Sequence, residues 1–126
     1  MRHYFAAAAA VTITLILIPA VPGHAQTARD CIIGGYLAPY GSNSEGSLDM
    51  NSGEACNMRL RTEGTIEDAR ISQAPKNGRL RMVSSANAIY TPKAGFKGTD
   101  EFAFTIKGRS MFVAGTSVIK IRANVR

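Results

Sequence analysis

The segment from Tyr90 to Phe104 limits what this chain can fold into more than any other part of it. Tyr90 and Thr91 favour a strand, and Pro92 ends one because it has no N–H to continue a ladder. Gly95 and Gly98 stand where a tight corner needs the positive φ that glycine adopts most easily. Phe102, Phe104 and Ile106 then form the inward row of a second strand, alternating with outward residues. Pro92, Gly95 and Gly98 in such close succession leave no length for a helix. The segment reads as strand, corner, strand.

The same period of two runs through most of residues 55–126. Cys56, Met58 and Leu60 point one way, while Asn57, Arg59 and Arg61 point the other. Glu63-Gly64 turns the chain. Ile66, Ala69 and Ile71 break strict alternation, which reads as a short turn followed by a strand from Ala69 to Gln73. A short helix over 65–72 is the weaker reading, because Gly64 and Pro75 crowd it from both sides. Pro75-Lys76-Asn77-Gly78 is a turn by composition. Leu80 and Met82 face inward with Arg79 and Arg81 outward, Ser84 to Asn87 turns, and Ala88 to Thr91 is a short strand. Beyond a turn at Gly108, Ile119, Ile121, Ala123 and Val125 form the last inward row. Residues 34–53, rich in Gly, Ser and Asn, show no period and read as loop with at most one edge strand. Short strands, closely spaced turns and no convincing helix predict an all-β fold, a sandwich of about seven strands.

The N-terminus reads as an address. Arg2 supplies a short positive region, and Phe5 to Ile18 is an uncharged apolar run interrupted only by Thr12 and Thr14. Pro19 and Pro22 end it, and Gly23-His24-Ala25 offers small residues where a signal peptidase reads. A membrane span needs about twenty apolar residues, and this run is shorter. Residues 1–25 are therefore expected to be a cleaved signal peptide, leaving a periplasmic or secreted protein with no integral membrane segment. No cysteine stands at the cleavage point to carry a lipid. The rest divides into a Gly/Ser-rich segment, 26–54, and a β-domain, 55–126, together one small domain of about 100 residues.

Cys31 and Cys56 are the only cysteines, and both fall in the exported part. An oxidising compartment makes them a disulfide, closing a ring worth roughly 3 kcal/mol in the chain-entropy model. It would pin the start of the Gly/Ser-rich segment to the strand that holds Cys56. Both histidines, His3 and His24, lie in the signal, so residues 26–126 have none. That removes Ser-His-Asp and Cys-His nucleophile pairs and every His-ligated metal site, and a disulfide removes thiolate chemistry. Glu45, Asp49, Glu54, Glu67 and Asp68 are left as acid–base candidates, but a domain this small offers little room for a deep cleft, and no enzyme is expected. No cofactor is expected either.

Pro75-x-x-Gly78-x-Leu80 followed by Tyr90-x-Pro92-x-x-Gly95-Phe96-x-Gly98-x-Asp100-x-Phe102-x-Phe104 resembles the bacterial immunoglobulin-like, cadherin-like repeat, over about residues 55–125. The resemblance implies an immunoglobulin-like antiparallel β-sandwich with Greek-key connections, and binding or spacing work instead of catalysis. A single copy gives no extended stalk. Calcium-linked members use clusters of Asp and Asn, which this chain lacks; Asp100 and Glu101 are adjacent and face opposite sides of a strand, so no metal site is expected. In the motif Tyr90 is a core residue whose hydroxyl reaches a backbone group near the corner, and Asp100 braces the Gly95–Gly98 corner through backbone N–H groups.

Two surface features are candidates for contact. Basic residues lie outward on three strands: Arg59 with Arg61, Arg79 with Arg81, and Lys120 with Arg122. If the first two strands share a sheet, their four arginines form a cationic face able to grip carboxylate, sulfate or phosphate groups. The plainer and preferred reading is ordinary solvated strand faces, partly neutralised by Glu63, Glu67 and Asp68. The formal net charge of +6, or about +5 without Arg2, suits an anionic envelope polymer but selects none. Nucleic acid is not expected, because no aromatics interleave with the arginines. Met111-Phe112-Val113 is the second feature. Its preferred reading is the start of the last strand, with Gly115 as a bulge; its alternative is an exposed apolar tip for a partner protein. The expected function is thus a non-catalytic exported module that binds an unidentified protein or has a structural role in the envelope. The alternative is a binder of envelope polysaccharide or anionic lipid.

Overall fold

A computed structural model describes residues 8–19, 27–35 and 39–126. The expected cleavage point at Gly23-His24-Ala25, both histidines and Arg2 lie outside the described residues. Residues 8–19 have no regular secondary structure, and Val11, Ile13, Leu15, Ile16, Leu17 and Ile18 are all exposed. No helix among the described residues is long and apolar enough to cross a membrane.

The described chain is all-β. Its strands are β1 (Arg29–Cys31), β2 (Ser44–Met50), β3 (Cys56–Arg59), β4 (Thr65–Gln73), β5 (Gly78–Met82), β6 (Asn87–Pro92), β7 (Gly98–Arg109) and β8 (Ala114–Val125). They form two four-stranded sheets, ordered β1-β3-β6-β5 and β2-β8-β7-β4. Only β5–β6 and β7–β8 are hairpins; every other connection passes from one sheet to the other. The inward rows of both sheets meet in one core of Cys56, Met58, Tyr90, Phe102, Phe104, Ile106, Ile119 and Ile121 with their neighbours. The Tyr90 and Phe102 rings lie 5.0 Å apart between the sheets, and Phe104 stands edge-on to Phe102 at 5.9 Å. Each such ring removes enough apolar surface from water to contribute roughly 1.5–3 kcal/mol.

Several expectations are corrected. The described residues hold eight strands, because residues 34–53, read as loop with at most one edge strand, hold β2 at the edge of its sheet. β2 does alternate, but two of its inward positions are Ser44 and Gly46, which hide the period; only Leu48 and Met50 show it. Gly46 is small for a reason: a Cβ there would come within 2.7 Å of Ile33 Cγ2, where the chain crosses from one sheet to the other. Gly34 exchanges both backbone hydrogen bonds with Ser47 at 2.8 and 3.0 Å, closing that edge. Tyr40, Leu48 and Met50 pack in the same core as the inward residues of 55–126. Both sheets are mixed, not antiparallel: β1 runs parallel to β3 and β2 parallel to β8. Neither pair is joined by a tight turn, which is what would have required opposite directions. The broken alternation after Gly64 is not a turn, since β4 is continuous and carries register shifts between Ile66 and Asp68 and between Ile71 and Gln73. An extra residue in one strand shifts the inward face without ending the pairing.

Cys31 and Cys56 form the disulfide, with Cα atoms 5.6 Å apart, tying β1 to β3. Gly95 and Gly98 take φ of 77° and 138° at the expected corner. Asp100, however, braces a different one. Its Oδ1 accepts the N–H of Lys76 and its Oδ2 the N–H of Asn77, both at 3.0 Å, so it holds the crossing from β4 to β5. Oδ1 also accepts the N–H of Glu101. The Tyr90 hydroxyl donates to Asp100 Oδ2 at 2.8 Å instead of to a backbone group. Burial first, then the hydrogen bond to Asp100 and its negative charge, push the Tyr90 phenol well above its ordinary value of 10.0.

Candidate functional site

The β7–β8 hairpin ends in a four-residue turn, Ser110 to Val113. Ser110 N–H donates to the Val113 carbonyl at 2.7 Å, and the Ser110 hydroxyl oxygen accepts the N–H groups of Phe112 and Val113 at 3.3 and 3.1 Å. One serine thus satisfies the turn from inside and leaves its side chains nowhere to go but outward. Met111 and Phe112 are each 90% exposed and Val113 40%. The preferred sequence reading is corrected here: β8 begins at Ala114, and Gly115 pairs directly with Gly108 without a bulge. Full pairing to the end of the hairpin uses up the strand before the apolar residues are reached.

The tip does not stand alone. Thr65 pairs with Arg109 and Ile66 with Gly108, which brings the loop between β3 and β4 beside it. Leu60 N–H donates to the Ala86 carbonyl at 2.7 Å, joining that loop to the β5–β6 turn. The Tyr40 hydroxyl and Thr62 Oγ1 are 2.7 Å apart, and the Ser117 hydroxyl accepts Gly41 N–H at 3.0 Å, fixing residues 40–41 to the same end. An open recess of ≈ 650 Å³ lies between the β3–β4 loop and the β5–β6 turn, with Arg59 and Arg61 on its walls. Val83, 54% exposed, begins the β5–β6 turn.

Arg59, Arg79 and Arg81 share a sheet, whereas Arg61, expected on the same strand as Arg59, lies past the end of β3 in the β3–β4 loop, and the four line two different recesses. β6 lies between β3 and β5, and its Asn87 and Ile89 sit opposite Arg59 and Arg81 respectively. Arg59 and Arg61 line the recess at the loop end, while Arg79 and Arg81 line another, of ≈ 460 Å³, along β5. Lys120 and Arg122 are on the other sheet, in a recess shared with Glu45 and Glu101, and Arg122 is paired with Glu101 at 3.2 Å. The candidate carboxylates are scattered: Glu67 holds Arg109, Asp49 Arg126 and Glu54 Arg29. No group of three or more potential metal ligands occurs among the described residues. The convergence of the tip with the β3–β4 loop was not legible from the sequence; only the strand register creates it.

No family model matches the chain, and no curated protein matches it. Among solved structures it is similar to a crystal structure of sialyltransferase from Photobacterium damsela, at 12% identity and a TM-score of 0.38, over 67% of this chain and 18% of that one. It is also similar to the solution structure of amebosin, at 11% identity and a TM-score of 0.29, over 71% of this chain and 100% of that one. Likeness at this level identifies neither fold family nor function.

Proposed function

We propose that this chain is a non-catalytic, exported immunoglobulin-like module, periplasmic or secreted, that binds a partner protein through the β7–β8 tip. The observation that carries the binding assignment is the 90% exposure of both Met111 and Phe112 on a turn held by Ser110. Two large apolar side chains in water are a standing source of interface energy, roughly 1.5–3 kcal/mol each on burial. Because the turn is already hydrogen-bonded, little ordering opposes docking.

The immunoglobulin-like reading is supported by the strand order. β3-β6-β5 and β4-β7-β8 correspond to the B-E-D and C-F-G arrangement of such domains, with β2 added beside β8 and β1 beside β3. In that arrangement the β3–β4, β5–β6 and β7–β8 loops share one end, the end that carries the tip. Export is supported by the Cys31–Cys56 disulfide, which persists in oxidising compartments, and by the apolar run from Phe5 to Ile18. A non-catalytic role is supported by the absence of histidine from residues 26–126.

The test is the double variant M111S/F112S in the exported protein, compared with the native protein for retention of envelope proteins on immobilised bait. The variant is expected to melt like the native protein, since neither side chain is buried, and to lose its specific partner. Unchanged retention by a folded variant sinks the assignment.

A further inference from the structure

Two recesses adjoin along the edge strand β5. One, of ≈ 460 Å³, includes Pro75, Arg79, Arg81, Ile89 and Thr91; the other, of ≈ 480 Å³, includes Arg79, Thr91, Pro92 and Lys93. They share Gly78, Arg79 and Thr91, so they form one trough running from Arg81 past Arg79 to Lys93. Arg79 and Arg81 are two apart on one strand, which places them on the same face about 6.8 Å apart. Lys93 continues the line, because its N–H donates to the Asn77 carbonyl one step before β5 begins.

The charges in this trough differ from the ion-paired arginines of the molecule, and resemble Arg70, Lys76, Lys97, Lys107 and Lys120 in holding no carboxylate among the described residues. Arg29, Arg109, Arg122 and Arg126 each hold a carboxylate. Among the described residues Arg79, Arg81 and Lys93 hold none, and no carboxylate lines either recess. The recess on the opposite sheet, by contrast, sets Glu45 and Glu101 against Lys120 and Arg122. On the outward side the lining beside the cations is aliphatic at Pro75, Ile89 and Ala94, with the Thr91 hydroxyl as a polar point, while Leu80 and Pro92 stand on the core side of the sheet. No aromatic ring among the described residues lines it, and those residues offer no stacking surface for a nucleobase.

We propose that this trough is a second binding site, independent of the hairpin tip, for a linear carboxylated polysaccharide. The polymer lies along β5, the apolar faces of its sugar rings against the aliphatic lining. Its carboxylates meet Arg79 and Arg81, whose planar forks donate paired N–H bonds to them, and Lys93. A line of unneutralised cations beside an aliphatic lining suits a chain of anionic rings better than a single small anion.

Calorimetric titration of the exported protein with polygalacturonate tests this, with neutral dextran and a charge-matched oligothymidylate alongside. Polygalacturonate is expected to bind, dextran not to, and the oligothymidylate to bind more weakly. R79Q/R81Q is expected to weaken binding by about tenfold or more, the loss of two charge-assisted contacts. K107Q/K120Q removes the same charge from the other sheet and is expected to leave affinity within about threefold, since exposed charges beyond the screening length contribute little. Equal losses in the two variants, equal affinity for the oligothymidylate, or no binding of polygalacturonate by the native protein would each overturn the proposal. M111S/F112S is expected to bind the polymer as the native protein does.

Discussion

Asp100 is buried, with no side-chain cation beside it among the described residues, and its two oxygens instead collect three backbone N–H groups and the Tyr90 hydroxyl. That single carboxylate joins the inner face of one sheet to the β4–β5 crossing, which leads into the first strand of the proposed trough. Its presence in the motif was legible, as was its taste for turn N–H groups. Which turn it serves was not, because Lys76 and Asn77 become its neighbours only when the sheets stack. The pair also gives a pH dependence with a definite sign. Tyr90 in the fold holds its proton above the ordinary value of 10.0, so below that pH both folded and unfolded chains are protonated and the contribution is complete. Above it the unfolded chain ionises first, and stability falls by about 1.4 kcal/mol per pH unit from this residue. Urea unfolding should therefore show Tyr90→Phe less stable than the native protein near pH 8, by about 1–3 kcal/mol. The gap should narrow toward about pH 11; a gap that stays constant contradicts this account of Tyr90.

At the level of strands, residues 55–126 were largely legible because their inward positions are filled by large apolar side chains, as in Phe102, Phe104 and Ile106 or Ile119 and Ile121. The failures have the same physical root. β2 was hidden because its inward Ser44 and Gly46 carry almost no apolar signal, and β4 was cut short because its register shifts resemble a loss of period. The end of β7–β8 was misread because hydrophobicity was taken to imply burial, whereas Met111 and Phe112 lie beyond the last paired residues. The status of β2 is open to direct measurement. Leu48 is 2% exposed in the shared core, so Leu48→Ala should cost about 2–4 kcal/mol of stability. A cost below about 1 kcal/mol, the value for a peripheral loop, would remove β2 from the core.

For the whole molecule, the sequence announced the kinds of surface but not their places. Strand order alone decides that Arg59 and Arg61 join the loop end while Arg79 and Arg81 face a trough along β5. It also assigns the two proposed contacts to different parts of the fold, an apolar tip at one end and a cationic edge along one sheet. The tip carries the central claim. A photoreactive amino acid placed at Phe112, and separately at Thr105 on the outer face of β7 and at Arg70 on β4, tests it in the cell that makes the protein. The account predicts one discrete cross-linked protein from position 112 and none of it from the two strand positions. Equal labelling from all three positions, or none from 112 while the protein remains folded and oxidised, would contradict it.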